Sequence, residues 1–296
     1  MSSSHMNVAL IGLGKMGTVL GQRILLGNFP LTVYNRTAIK MQPLTHLGAK
    51  GAQTTQEAVQ NADVVITCLF DDAAVLETVQ GKQGFLSALK PNAIHIGTST
   101  ILPQTSKILS QLHKEQGSIY IAANVLGVPK VAQKGELTTI VAGDKQTIEK
   151  LTGLFHSYSS TIIHVGIEPF HANVVKICMN YLLASAIETM GEIYTFAEKN
   201  TVDLNIIHTL FHNVFAHPAF KLYIDKIKAR NFEEVNFSLD GGFKDLRLFQ
   251  TAFADARVVP DVANILMNKF LIALAQGMET KDWSAVTEVT RQQSGL

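Results

Sequence analysis

Short apolar runs recur through the first half of the chain, at residues 8–11, 31–34, 64–69, 93–96, 118–122, 138–142 and 162–165. Turn signals divide them, among them Gly27-Asn28, Lys90-Pro91-Asn92 and Gly143-Asp144. Between the runs, apolar positions fall at helical spacing, as in Val19, Leu20, Ile24 and Leu25. Several runs, notably Val64-Val65-Ile66, are apolar on successive residues, as strands covered on both faces must be. Strands alternating with helices predict βαβ units and a mostly parallel sheet.

After Gly166 the pattern changes class. Residues 170 to about 199 read as one long helix, and shorter helical segments follow, punctuated by His217-Pro218, Asp240-Gly241-Gly242 and Val259-Pro260. The predicted fold is α/β, a Rossmann-like doubly wound sheet followed by a long interdomain helix and an all-α C-terminal domain. The expected divisions are a tag-like remnant at 1–5, a dinucleotide-binding domain at 6–165, and the helix with its all-α domain at 166–296.

The turn after the first run reads Gly12-Leu13-Gly14-Lys15-Met16-Gly17, placed between a strand and a helix as the dinucleotide fingerprint requires. In that motif the first glycine makes the turn, the second lets backbone N–H groups approach a pyrophosphate, and the third allows close packing of helix on strand. The second strand ends in Asn35-Arg36-Thr37, where an NAD-preferring site places an acid for the ribose hydroxyls. Asn35 removes the repulsion a carboxylate would exert on a 2′-phosphate, and Arg36 and Thr37 offer a planar cationic fork and a hydroxyl to hold one. The expected cofactor is NADP.

Composition narrows the partners. A net charge of +1 over 296 residues, with 17% charged and 47% hydrophobic positions, excludes a polyanion binder and a disordered chain, so no nucleic-acid partner is expected. The most apolar stretch, 174–190, is interrupted by Lys176 and Glu188, against the roughly 20 apolar residues a membrane span needs. Cys68 and Cys178 stand far apart in apolar surroundings and are expected as buried, reduced thiols in a cytoplasmic protein. The histidines are scattered and show no metal-ligand motif, so no metal is expected.

The GLGxMG opening resembles that of the β-hydroxyacid dehydrogenase family, and other landmarks agree in order. Asn35-Arg36-Thr37 is similar to the cofactor-selecting turn of the family's NADPH-using aldehyde reductases, Ser99-Thr100-Ile101-Leu102-Pro103 to its STxxP loop, Lys176 with Asn180 to its KxxxN helix, and Lys244-Asp245-Leu246 to its KDL motif. The resemblance implies a cleft where a Rossmann and a helical domain join, with Lys176 as proton donor and Asn180 as its partner in orienting the substrate oxygen. It further implies a cofactor contact from Lys244, substrate contacts from Gly127, Phe237 and Asp245, and a homodimer or higher homo-oligomer. Leu69, Phe70 and Thr100 are expected to contact the cofactor because they follow strand C-terminal ends, where a doubly wound sheet binds its ligand. Lys176 and Asn180 lie one helical turn apart, on one face. Carbonyl reduction needs a proton at oxygen as hydride reaches carbon, and a partly desolvated lysine with a lowered pKa supplies it near neutral pH.

The substrate loop departs from the family. Its DAPVSGG-like segment reads Ala122-Ala123-Asn124-Val125-Leu126-Gly127-Val128 here, so Leu126 replaces a serine donor and favours a larger or less polar carbonyl compound. The implied function is NADPH-dependent interconversion of a small aldehyde or ketone, of the semialdehyde or glyoxylate type, with its hydroxy acid or alcohol. Two alternatives stand beside it. Imine reductases resemble this architecture but generally lack the Lys/Asn pair, and a non-catalytic NADP-binding interaction protein is compatible with the altered loop.

Overall fold

A computed structural model describes residues 6–215 and 217–296; the tag-like remnant at 1–5 lies outside the described residues. The chain divides into two compact units, the first ending at Lys176 and the second beginning at Ile177. No helix among the described residues is long and apolar enough to cross a membrane.

The first unit is built on eight strands: β1 (Val8–Ile11), β2 (Leu31–Tyr34), β3 (Lys50–Gly51), β4 (Val64–Thr67), β5 (Ile94–Gly97), β6 (Ile119–Leu126), β7 (Leu137–Ala142) and β8 (Ser159–Gly166). They form one sheet in the order β3-β2-β1-β4-β5-β6-β7-β8. Every pairing is parallel except β6 with β7, which is antiparallel. The helices of this unit are α1 (Lys15–Leu26), α2 (Gln42–Thr45), α3 (Thr55–Val59), α4 (Asp72–Gln80), α5 (Pro103–Glu115), α6 (Pro129–Gln133) and α7 (Lys145–His156). Successive strand residues enter opposite faces. Val8, Leu10, Val64 and Ile66 join one apolar cluster while Ala9, Ile11 and Val65 join another, which is why these strands carry no polar alternation.

α8 (Phe170–Lys199) begins in the first unit and continues into the second, as the periodicity predicts. The second unit then contains α9 (Leu204–Val214), α10 (Pro218–Ala229), α11 (Leu239–Asp255), α12 (Asp261–Ala275) and α13 (Thr287–Gln293). His217 and Pro260 are the N-caps of α10 and α12, so two of the three expected breaks fall between helices. The third is corrected. Asp240-Gly241-Gly242 lies inside the first turn of α11, where a Cβ on Gly242 would meet Phe270 at 2.8 Å and Trp283 at 3.0 Å, so the glycine admits those rings rather than ending a helix.

A buried polar chain runs through the first unit. Thr67 Oγ1 lies 2.8 Å from His95 Nε2, His95 Nδ1 lies 2.9 Å from His113 Nε2, and His113 Nδ1 lies 2.8 Å from Ser118 Oγ. Burial, with His113 close by, holds His95 well below the ordinary histidine range, and burial brings His113 down to about 4. Unfolded histidine titrates near 6.5, so from about 6.5 downward the unfolded chain binds more protons than the folded one. Stability is therefore full above that value and falls as pH drops toward the folded pKa values. Each histidine contributes a slope of up to about 1.4 kcal/mol per pH unit in that window. Urea midpoints measured between about pH 7 and about pH 5 should fall more steeply for the unmodified chain than for His113→Gln. Equal slopes would remove this pair from the acid sensitivity.

Candidate active site

The site builds from the glycine turn at the end of β1. Gly12 has φ +98°, and a Cβ there would meet the Cys68 carbonyl oxygen at 2.4 Å. A Cβ on Gly17 would stand 2.0 Å from the Gly12 carbonyl oxygen. Both glycines are fixed by the fold itself. Gly14 differs: its Cβ would meet nothing within 4 Å, so the open space beside it is what a ligand approaching the backbone requires. Asp71 and Asp144 cap α4 and α7 with their side chains, and α5 and α6 begin on proline. α1 has neither device, and its first turn holds no acid. Its N-terminus suits an anion by geometry and dipole. These features fit the pyrophosphate of a dinucleotide.

Contacts then pass from loop to loop along one edge of the sheet. β2, β1, β4, β5 and β6 are mutually parallel, so the loops after their C-terminal ends gather on that edge. Asn35 Oδ1 accepts the Leu13 N–H at 2.9 Å, and its Nδ2 donates to the Thr37 carbonyl at 3.0 Å. Arg36 is exposed and makes no hydrogen bond or ion pair among the described residues, and Thr37 is exposed beside it. Lys15 is exposed and Met16 half-buried in the first turn of α1. Beyond β4, the Leu69 N–H donates to Ser99 Oγ at 2.8 Å, with Phe70 exposed at 51%. Asn124, fully buried on β6, donates to the Ser99 carbonyl at 2.8 Å and to the Thr98 carbonyl at 3.3 Å. Thr100 follows, half-buried.

Lys176 completes this edge. It is half-buried, and its Nζ donates to the Val125 carbonyl at 2.8 Å, which anchors the ammonium at the end of β6 beside Leu126 and Gly127. Leu126 is half-buried, and Gly127 is exposed with φ +131°. One turn before the lysine on α8 stands Asn173, 1% exposed, whose amide oxygen and nitrogen both lack a partner among the described residues. A buried amide left unmet costs on the order of 1–3 kcal/mol, which a bound ligand or water offsets. Sequence reasoning did not select Asn173, Ser99 or Asn124 as site residues; the three-residue spacing of Asn173 from Lys176 was the available signal for the first.

In the second unit, Asn180 Nδ2 donates to Asp245 Oδ2 at 2.7 Å, and Lys244 Nζ lies 2.6 Å from Asp245 Oδ1. Asp245 is buried, so Asn180 and Lys244 hold its charge between them. Phe237 packs edge-on against Trp283, ring centroids 5.1 Å apart, and its ring lies where a Cβ on Gly241 would fall. Phe237 is half-buried and takes part in the packing of the helical unit.

Two further expectations are corrected. Cys178 is exposed and is no core thiol, while Cys68 is half-buried and packs against the apolar cluster that holds Leu10 and Ile66. The apolar neighbourhood raises the Cys68 pKa more than a hydrogen bond with Thr98 lowers it, which disfavours a thiolate nucleophile beside the glycine turn. The histidines are not all scattered: His208, His212 and Asp225 place their ligand atoms within 4.8 Å of one another. The reason is tertiary, since Asp225 arrives from α10 to meet a histidine pair on α9.

Comparison with known proteins agrees with this geometry. A family described as the NAD binding domain of 6-phosphogluconate dehydrogenase matches residues 7–166. One described as NAD-binding of NADP-dependent 3-hydroxyisobutyrate dehydrogenase matches residues 171–290. An uncharacterized oxidoreductase of Bacillus subtilis (strain 168) is 34% identical over 281 residues, covering 95% of this chain and 98% of the relative. Glyoxylate/succinic semialdehyde reductase 2, chloroplastic, of Arabidopsis thaliana is 24% identical over 286 residues, covering 96% and 79%. The solved structure of Psf3 in complex with NADP+ and 2-OPP is similar with a TM-score of 0.84 at 26% identity, covering 96% of this chain and 99% of that one. Family matches at residues 7–166 and 171–290, with a relative 34% identical over 95% of the chain, make this chain a member of the 3-hydroxyisobutyrate dehydrogenase-like family of NAD(P)-binding oxidoreductases.

Proposed function

We propose that the protein is an NADPH-dependent reductase that interconverts a small aldehyde or ketone, of the semialdehyde or glyoxylate type, with its hydroxy acid or alcohol, using Lys176 as the proton donor. The observation that carries this reading is the Lys176 ammonium held on the Val125 carbonyl, on the sheet edge where the glycine turn opens. The named activity of the Arabidopsis relative supports the substrate class. Cysteines that form no disulfide support a reducing, cytoplasmic setting. Exposed Ile206, Leu210 and Val214, spaced every four residues along α9, support a homodimer through the helical unit.

A bound dihydronicotinamide would supply the hydride. As the substrate oxygen gains charge, Lys176 delivers a proton to it; an ammonium has three donors, and Val125 fixes the direction of one. In the oxidative direction the neutral amine removes the hydroxyl proton. Asn180 donates one amide N–H to Asp245, which leaves its second N–H and its amide oxygen for a ligand. At the adenosine end, Asn35 spends its acceptor on the Leu13 N–H and presents no carboxylate, so Arg36 holds a 2′-phosphate without competition from a neighbouring acid.

Three outcomes test the reading. Lys176→Ala should lower kcat for glyoxylate or succinic semialdehyde by about 10²–10⁴-fold while leaving NADPH affinity, read by fluorescence, unchanged. Undiminished turnover would sink the lysine mechanism, and turnover of cyclic imines in its place would favour imine reduction. Arg36→Ala should raise KM for NADPH by roughly 10- to 150-fold, the loss of about 1.5–3 kcal/mol from a charged hydrogen bond, with little effect on NADH. Equal effects on the two cofactors would return Arg36 to a solvated strand-end residue. Leu126→Ser restores a hydroxyl donor and should lower KM for glyoxylate by about tenfold, close to one hydrogen bond; an unchanged KM would separate this loop from the substrate carboxylate.

A further inference from the structure

His208 and His212 are four residues apart on α9 and therefore share one face of it. That face is turned about 200° from the exposed Ile206 and Leu210 positions, at roughly 100° per residue. Asp225, on α10, meets both rings: each Nε2 lies 2.7 Å from the same carboxylate oxygen, Oδ1. The imidazole centroids are 4.5 Å apart with their planes inclined by 50°, so the two rings splay around one point instead of stacking flat. Each histidine side chain is 27% exposed and the aspartate 57%, which leaves the point of convergence reachable from solvent.

We propose that His208, His212 and Asp225 form a binding site for one zinc-class divalent cation that clamps α9 to α10, with a further coordination position open to water. The ligand chemistry selects the ion. Two imidazole nitrogens and one carboxylate suit zinc and its neighbours, whereas calcium and magnesium require sets dominated by oxygen. With metal–ligand bonds of about 2.0–2.2 Å, tetrahedral ligand atoms stand roughly 3.3 Å apart. The histidine–aspartate separations are 2.7 Å and all three ligand atoms lie within 4.8 Å of one another, so rotation of the side chains closes the set on one ion. On binding, each neutral ring carries its proton on Nδ1 and turns the Nε2 lone pair to the ion.

Two surrounding features fit. Tyr194 on α8 is buried, packs edge-on against Phe211 of α9 between the two histidines in sequence, and has a hydroxyl without a hydrogen-bond partner among the described residues. Burial first, and then the nearby Asp225 charge, push its phenol pKa upward, so it remains a proton-bearing donor close to the cluster. α9 itself contributes no fully buried residue, so a metal bridge to α10 reinforces an element with little apolar burial of its own.

The test is a titration of the full-length chain, stripped of metal by chelation and dialysis, with ZnCl2. Calorimetry should give one equivalent per chain with a raised thermal midpoint, and CoCl2 in place of zinc should give the visible absorption of a low-coordinate nitrogen–oxygen site. His208→Gln, His212→Gln and Asp225→Asn should each weaken Zn2+ binding by about tenfold or more, with folding verified by circular dichroism and NADPH binding retained. His156→Gln, in the first unit, should leave binding unchanged. Absence of stoichiometric Zn2+ binding, or equal affinity in folded His208→Gln and Asp225→Asn variants, would overturn the proposal.

Discussion

The approach of Gly17 to the Gly12 carbonyl governs the geometry of the cofactor end. With 2.0 Å between that oxygen and the place a Cβ would occupy, helix α1 can lie this close to the strand only if residue 17 has no side chain. The same closeness delivers the start of α1, uncapped by any side chain, to the edge of the sheet where the other loops gather. From there the order is relayed outward. The Cys68 N–H donates to the Ile11 carbonyl at 2.9 Å, Leu69 is held by Ser99, Ser99 by Asn124, and the neighbouring strand carbonyl holds Lys176. Displacing α1 would therefore shift the helix N-terminus that faces this edge.

Behind that edge a satisfied polar chain is set into an otherwise apolar interior. Thr67, His95, His113 and Ser118 are all buried, and each finds its partner in the next. Neutral imidazoles suit the setting because a hydrogen-bonded ring is tolerated where a charged one would carry a large desolvation cost. The Thr67 carbonyl also accepts from Thr98 at 2.8 Å, so this chain backs the loops after β4 and β5. The unmet amide of Asn173 and the unmet Oδ1 of Asn124 contrast with it. These two lie three residues before Lys176 in sequence and on the strand that holds it.

Burial on both faces made most of the sheet readable from sequence: β1 and β2 fall on the expected residues, and the long helix spans 170–199 as its periodicity implies. β3 escaped because Lys50-Gly51 carries no apolar pattern. The antiparallel β6–β7 pair was partly encoded: ten residues, 127–136, separate the strands, about the minimum for a parallel crossover. At the site, the glycine turn could be read because its chemistry is local in sequence, whereas Lys176 was singled out only by its place in a motif order that resembles the family's. The Asn35–Leu13 tie, the Asn180–Asp245–Lys244 group and the His208–His212–Asp225 cluster could not, since each depends on where separate elements meet. Cys178 was misread because an apolar helix need not bury every face, and its position on α8 is an exposed one.

The three glycines of the turn answer to different masters. Gly12 and Gly17 are demanded by atoms of the protein itself, whereas nothing in the protein crowds Gly14. Descendants of this chain that ceased to bind a dinucleotide would still be obliged to keep the first and third glycines, or misfold, while the second drifted freely. A homologue with a side chain at the middle position and glycine at the other two would therefore record a lost ligand on a surviving scaffold, something the fold on its own does not reveal.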